Sequence, residues 1–410
     1  MRQKQQYFKS WKKLLESHSF KEKGMRKRIT INFKRNFFFI LIFLPVLTSI
    51  GYTLAGCRQE SAWKPGKPLP KEKIKIGVIH PNKIDSNSIY DYAHYSGTVE
   101  MQQKIGLKDS QIIRKVNVFD GDRATAKVAM RDCIKEGANV IIAASWGYMD
   151  PCEKLAREFP SVIFAHATGT KHNNSNFTNY TTRNYHARYL SGIVAGLRTK
   201  TNKIGFVAAW GKENSEVTSG INAFAIGVER VNRHASIHVQ ITYSWYDPMG
   251  ETNAANALIA AGCDVIAAHC NTPSPQITAQ KAGLWAIGYN SDMSADAPNA
   301  VITSVVLNWG ALYTKLVESI INGTFSPEPH YYGLAEEAVD ITPLSEKLAA
   351  PGTNVQIEKE KLRIIKGDFN VFDGVLKTND GRTVGEAGKT LTDETILSGI
   401  NWYYHNVTEK

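Results

Sequence analysis

From residue 74 onward, short β-branched apolar runs alternate with amphipathic stretches of 10 to 16 residues. The runs IKIGVIH (74–80), IIRKVNVF (112–119), NVIIAAS (139–145) and VIFAHA (162–167) predict one series of buried strands. KIGFVAA (203–209), HVQITYS (238–244), DVIAAHC (264–270) and LWAIGYN (284–290) predict a second. Between them, RATAKVAMRDCIKEGA, EVTSGINAFAIGVERVN and TNAANALIAAGC carry helical spacing, the first and last stopping at Gly137 and Gly262. Strands alternating with helices imply βαβ units and parallel sheets. The pattern therefore predicts an α/β protein of two doubly wound parallel-sheet lobes, an N-terminal lobe over 74–182 and a C-terminal lobe over 183–290. YHARYLSGIVAGLRTK (185–200) reads as a helix between them, with small residues that permit close packing. Residues 291–335 read as a return segment completing the lobes. The turn-rich 336–410 reads as an appendage closing on one lobe, with a last helix near TDETILSGINWYY. No repeat of solenoid length is visible.

In open α/β sheets, ligands bind outside the carboxyl ends of the strands. Aromatic and polar residues gather there. Tyr90, Tyr92 and His94 follow the first run, and Trp146, Tyr148 and Asp150 follow the third. In the second series the strand ends lead into Trp210, Trp245, Asn271, Asn290 and Asp292. Of eight tryptophans, three stand directly after predicted strands, and Trp309 opens a helix in LNWG. Singly, each such ring suits the end of a core. Together, on lobes whose strand ends face one another, they line a cleft for a planar, hydrogen-bonding ligand. A purine fits that description, and a sugar is its main rival. Asp150 reads as an edge reader or a helix cap, and either Trp146 or Tyr148 as the ring that touches the ligand.

The formal charge of +11 invites a nucleic-acid or membrane-surface partner. Its distribution withdraws the invitation. Residues 1–56 hold 12 Lys+Arg against 2 Asp+Glu, which leaves 37 against 36 for the rest, a net of +1. MRKRITINFKR (25–35) followed by FFFILIFLPVLTSI (37–50) has the form of a signal peptide, with Met25 as the expected start. LAGC then ends at Cys57 and resembles the bacterial lipobox, so Cys57 is the expected lipidation site and 57–73, rich in Pro and Lys, a tether. Cys133, Cys152, Cys263 and Cys270 show no metal-ligand spacing and read as buried free thiols. No metal and no cofactor is expected. GxSxG and HExxH are absent, and GRTVGEAGKT (381–390) lacks both the first glycine and the preceding strand of a P-loop.

The motifs SIYDYAHYSG, SWGYMDP, FAHATGTK, ARYLSGIVAGLRTKTNKIGFVAA, GINAFAIGV, SWYDP, DVIAAHCNTPSP, GYNSDM and SVVLNWG run in order from about 74 to 325. As a set they resemble the basic membrane protein (BMP) family of ABC-transporter substrate-binding lipoproteins, and its purine-binding members in particular. The resemblance implies a type 1 periplasmic-binding fold and a nucleobase or nucleoside closed between the lobes. It also implies partnership with an ABC permease and its ATPase, and no enzymatic activity. Carried over by motif, Tyr90 and Trp146 or Trp210 become stacking residues. His94, Asp150, Asn271, Asn290 and Asp292 become polar contacts. Three departures bear on specificity: Asn271 and Asn290 stand where the family often has Asp, and His186 where it often has an acidic residue. The alternatives are a sensory lipoprotein of the same fold and a nucleoside-processing enzyme. A DNA-binding repressor would need a helix-turn-helix before residue 74, where a signal peptide stands instead.

Overall fold

The computed structural model describes residues 63–85 and 89–410. The signal peptide, Cys57 and the start of the tether lie outside the described residues.

The first series of apolar runs forms the expected strands, each flanked by a helix. They are β1 (Ile76–Ile79), α1 (Ile89–Ile105), β2 (Ile112–Lys115), α2 (Arg123–Lys135), β3 (Val140–Ala143), α3 (Met149–Glu158), β4 (Ile163–Ala167) and β5 (Phe177–Thr182). The second series opens with α4 (Asn184–Arg198) and continues through β6 (Lys203–Ala208), α5 (Ser215–Val231), β7 (Ser236–Ile241), α6 (Pro248–Ala260), β8 (Val265–His269), α7 (Ser274–Lys281) and β9 (Trp285–Asn290). Side-chain caps start these helices where the sequence supplies them. Asp122 accepts from Ala124 and Thr125, Asn214 from Val217, and Asp247 from Gly250 with Pro248 at the first helical position. Gly137 and Gly262 lie just beyond their helices at φ of 96° and 89°, a conformation that would strain a side chain.

Past residue 290 the chain serves both lobes. β10 (Val301–Leu307) joins the second sheet, α8 (Trp309–Asn322) packs on α1 of the first lobe, and β11 (His330–Tyr332) joins the first sheet. β12 (Val339–Ile341) then returns to the second sheet. The first sheet has the order β11-β5-β4-β3-β1-β2 and is parallel throughout. The second has seven strands, β12-β10-β9-β8-β6-β7 and the edge strand β15 (Val407–Glu409), with β12 alone antiparallel. The chain thus crosses between the sheets three times, after β5, β10 and β11. The crossings bond to one another: Arg183 N donates to Tyr332 O at 2.7 Å, and Asn308 N to Ala338 O at 2.9 Å.

Residues 336–410 are built into the second lobe, supplying both its edge strands. α9 (Thr353–Ile365) packs on α4, and a two-stranded hairpin pairs β13 (Leu376–Lys377) with β14 (Thr383–Val384). The helix expected near TDETILSGINWYY is one π-helical turn, Thr395–Gly399, ending at Gly399 and extended Ile400. The β2 run stops at Lys115 because Asn117 turns the chain at a φ of 56°. The four described cysteines are free and buried.

Against the second sheet runs α4, packed on α5, α9, β10 and β12 and buried from Asn184 through Gly196. The small residues of α4 let it approach α5 closely, since a Cβ on Gly192 would lie 2.1 Å from Phe224 O and one on Gly227 2.1 Å from Tyr189 O. A second close contact lies where α1 meets α8. A Cβ on Gly97 would lie 2.6 Å from Trp309 Cβ and 2.7 Å from Gly310 N, so only glycine lets these helices approach.

Candidate functional site

The loops at the carboxyl ends of strands from both sheets converge on one cavity of about 980 Å³. Pro81, Asn117, Ser145 and Thr168 come from the first lobe, and Trp210, Trp245, Asn271 and Asn290 from the second. This is the placement that parallel βαβ units dictate, since each strand delivers its last residues to the same end of the sheet. Three of the lining residues hold positive φ without being glycine: Asn117 at 56°, Thr168 at 59° and Asn290 at 69°. The β-branched Thr168 is the most strained, and such strain concentrates at binding sites.

Of the residues singled out in the sequence, Tyr90, Trp146, Trp210, Trp245, Asn271, Asn290 and Trp309 line the cavity. Trp146 is 61% exposed, and His166 approaches its carbonyl at 3.1 Å. It opens a 3-10 turn that decides between two rings. Tyr148 at the other end of that turn is fully buried, its hydroxyl donating to Val118 O, and burial pushes its phenol far up. Gly147 between them is required by contact, because a Cβ there would lie 2.5 Å from Asp120 O.

Five of the residues are not brought to the cavity wall. Besides Tyr148, these are His94, Tyr92, Asp150 and Asp292. His94 lies one helical turn behind Tyr90, fully buried. Its Nδ1 is 2.5 Å from Tyr313 Oη, its ring stacks on Trp309 at 4.1 Å, and burial holds it neutral. Its part is to back a cavity ring. Tyr92 points outward beside Tyr95. Asp150 is held on the flank of α3 by Arg123 at 2.9 Å and Lys171 at 2.8 Å, and the Lys171 hydrogen bond lowers its carboxyl. Asp292 accepts from Ser294 N at 2.9 Å in the turn after β9. His186 packs against the Leu334 backbone and is pushed down to about 3, by burial first and Arg183 second.

The cavity also recruits residues that strand-end reading passed over. Phe119 and Asp120 follow β2 by the same rule, but the run looked like continuous strand. Asp120 accepts from Ser145 Oγ at 2.5 Å, and Asp91 from Asn82 Nδ2 at 2.9 Å. Glu216 and Tyr289 bring an acid and a phenol from the second lobe. Two buried polar atoms of lining residues, Trp309 Nε1 and Asn290 Oδ1, have no hydrogen-bond partner among the described residues. Such orphans are rare in folded proteins, and here they offer one donor and one acceptor at the wall. Four tryptophan rings with scattered carboxylates and amides suit a flat molecule with a polar edge. Among the described residues no group of His, Cys, Asp or Glu could hold a metal ion, and no helix is long and apolar enough to cross a membrane.

Residues 73–368 match the family of ABC transporter substrate-binding proteins, PnrA-like, known as Bmp. The chain belongs to the Bmp family. Among its relatives, a purine-binding protein of Brucella abortus (strain 2308) is 32% identical over 351 residues, covering 84% of this chain and 96% of that protein. A Haloferax volcanii protein, described as a candidate ABC transporter glucose-binding protein, is 30% identical over 269 residues, or 66% of each chain. A solved ABC-transporter solute-binding protein from Conexibacter woesei superposes with a TM-score of 0.62 at 21% identity, covering 72% of this chain and 98% of that one. The fold is therefore the type 1 periplasmic-binding fold. As a Bmp member the chain is a solute-binding component of a transporter, a role that is not catalytic.

Proposed function

We propose that this Bmp protein is a lipid-anchored receptor that captures a purine nucleobase or nucleoside outside the cytoplasmic membrane and delivers it to an ABC permease and its ATPase. The observation that carries the reading is the interlobe cavity itself, walled by Trp146, Trp210, Trp245 and Trp309, with the orphaned Trp309 Nε1 and Asn290 Oδ1 as polar contacts. Rings of this kind stack on a base, and donors and acceptors beside them read its edge. The name of the Brucella abortus relative supports the same ligand class. LAGC supports anchoring through Cys57. The three crossings between the lobes support capture by closure.

A sugar reading has one specific observation in its favour, the name of the Haloferax volcanii relative. Sugars also lie flat on tryptophan. One experiment separates the two. Ligand released by denaturing the purified protein is identified by mass spectrometry, and tryptophan fluorescence is titrated with adenine, adenosine and glucose. The expected result is a purine in the released fraction and quenching by adenine or adenosine alone. Release of a sugar or an amino acid, with quenching by neither purine, overturns the proposal.

A further inference from the structure

One ionisable side chain at the cavity has no local task. Glu216 lies in the first turn of α5, after the Asn214 cap. Part of its surface faces the cavity, and its carboxylate has no hydrogen-bond or ion-pair partner among the described residues. Three groups lie within electrostatic reach of it: Arg188 from α4, Tyr289 from β9, and Tyr90 from α1 of the other lobe. Arg188 runs beneath the same face of α5, since a Cβ on Gly220, one turn past Glu216, would lie 3.6 Å from Arg188 Nε. The guanidinium is fully buried. Nη1 donates to Ala268 O at 2.9 Å, its centre lies 4.1 Å from the Tyr289 ring centroid, and Nε and Nη2 have no partner among the described residues.

An acid at a cavity wall, with a buried cation behind it and no donor in front, is an incomplete hydrogen-bonding set. An ionised carboxylate accepts only, so what completes it must donate. We propose that Glu216 is the second lobe's ligand reader, accepting a hydrogen bond from an N–H or O–H group of the bound molecule. The inference rests on the purine reading above. Adenine, adenosine, hypoxanthine and inosine all carry such donors.

The proton on Glu216 makes the proposal measurable. Burial raises its carboxyl to about 7, with Arg188 opposing the rise, so near neutrality a share of the empty receptor is protonated. A ligand donor favours the ionised form, so binding sends that proton to solvent. Affinity then rises with pH up to about 7 and levels off above it. The groups within reach of it do not titrate there. Tyr90 and Tyr289 are pushed up by burial, Arg188 stays charged with a pKa of about 10, and His269 behind Arg188 is held neutral by burial.

The test is calorimetric titration of the full protein with adenine, adenosine, hypoxanthine and inosine, from about pH 6 to about pH 8.5, in buffers of differing ionisation enthalpy. The expected result is close to one proton released at the acid end and none at the alkaline end. Glu216→Gln should release none, bind with pH-independent affinity, and lose roughly 10- to 100-fold in affinity at the alkaline end. If Glu216→Gln does not fold, the wild-type proton count decides alone. Tight purine binding with no proton exchanged, or affinity that falls as pH rises, overturns the inference and leaves the purine reading standing. A wild-type protein that binds none of the four removes both.

Discussion

Trp146 and Tyr148 stand two residues apart, and the turn they share sends one ring to the cavity and the other to the core. Their substitutions should therefore separate cleanly. Trp146→Ala removes a stacking surface worth ~1–3 kcal/mol per base and should weaken purine affinity accordingly, while a side chain so exposed leaves the melting temperature nearly unchanged. Tyr148→Phe removes the buried hydrogen bond to Val118 O and should cost about 1 kcal/mol of stability with affinity intact. Denaturant unfolding beside fluorescence titration checks both. The sequence pointed to the turn but not to the ring, because a 3-10 turn and an α-helix aim these two positions differently. His94 is similar: its spacing from Tyr90 places both on one face of α1, but spacing carries no information about depth. The carbonyl of Trp146 meets His166, whose imidazole burial pushes down to about 4. Between about pH 6.5 and about pH 4 the unfolded chain binds a proton there that the folded chain does not. Stability from this group is thus complete above pH ~6.5 and declines by about 1.4 kcal/mol per unit as pH falls through that window. Unfolding at neutral and acid pH should show a smaller difference in His166→Gln than in the wild type.

At the scale of elements, apolar runs located β1–β4 and β6–β9 because a strand buried on both faces must be apolar. The same logic missed β5. FTNYTT reads as polar, yet all six residues are buried, with Thr178 Oγ1 donating to Glu328 O at 2.7 Å. Thr178 and Tyr180 find their hydrogen-bond partners, Glu328 O and Tyr313 Oη, in chain far away in sequence, which local patterning cannot register. Glu216 is hidden for a related reason: it stands on α5, several residues past the end of β6, where a strand-end pattern no longer reaches. The contact of α1 with α8 has a sharper consequence. Gly97→Ala drives a methyl into Trp309 Cβ and the Gly310 backbone, so it should destabilise by about 1–3 kcal/mol. Because it displaces a cavity ring, it should also weaken ligand binding, and paired unfolding and titration curves would show both losses.

Over the whole chain, the excess of positive charge lies in residues 1–56. The described lobes lie within a stretch of nearly zero net charge, so the proposed membrane attachment depends on Cys57 and not on a basic surface. Cys57→Ser should move the protein from the membrane fraction to the soluble fraction on cell fractionation, with purine affinity retained. Salt washing should not release the wild type, because an acyl chain is not screened. Within 336–410 the two edge strands were not legible, since three residues each leave little pattern. The region also reaches the crossings, where Arg183 makes a two-pronged pair with Asp393 at 2.9 and 2.7 Å.

The edge strand β15 pairs with β7, which is made long before it. A ribosome or an export channel that feeds out the chain in order therefore releases β7 with one margin bare, and only the arrival of residues 407–409 covers it. An uncovered strand margin recruits other chains. For this protein the second lobe is therefore completed only when the last strand arrives, and until then the margin of β7 is the exposed one.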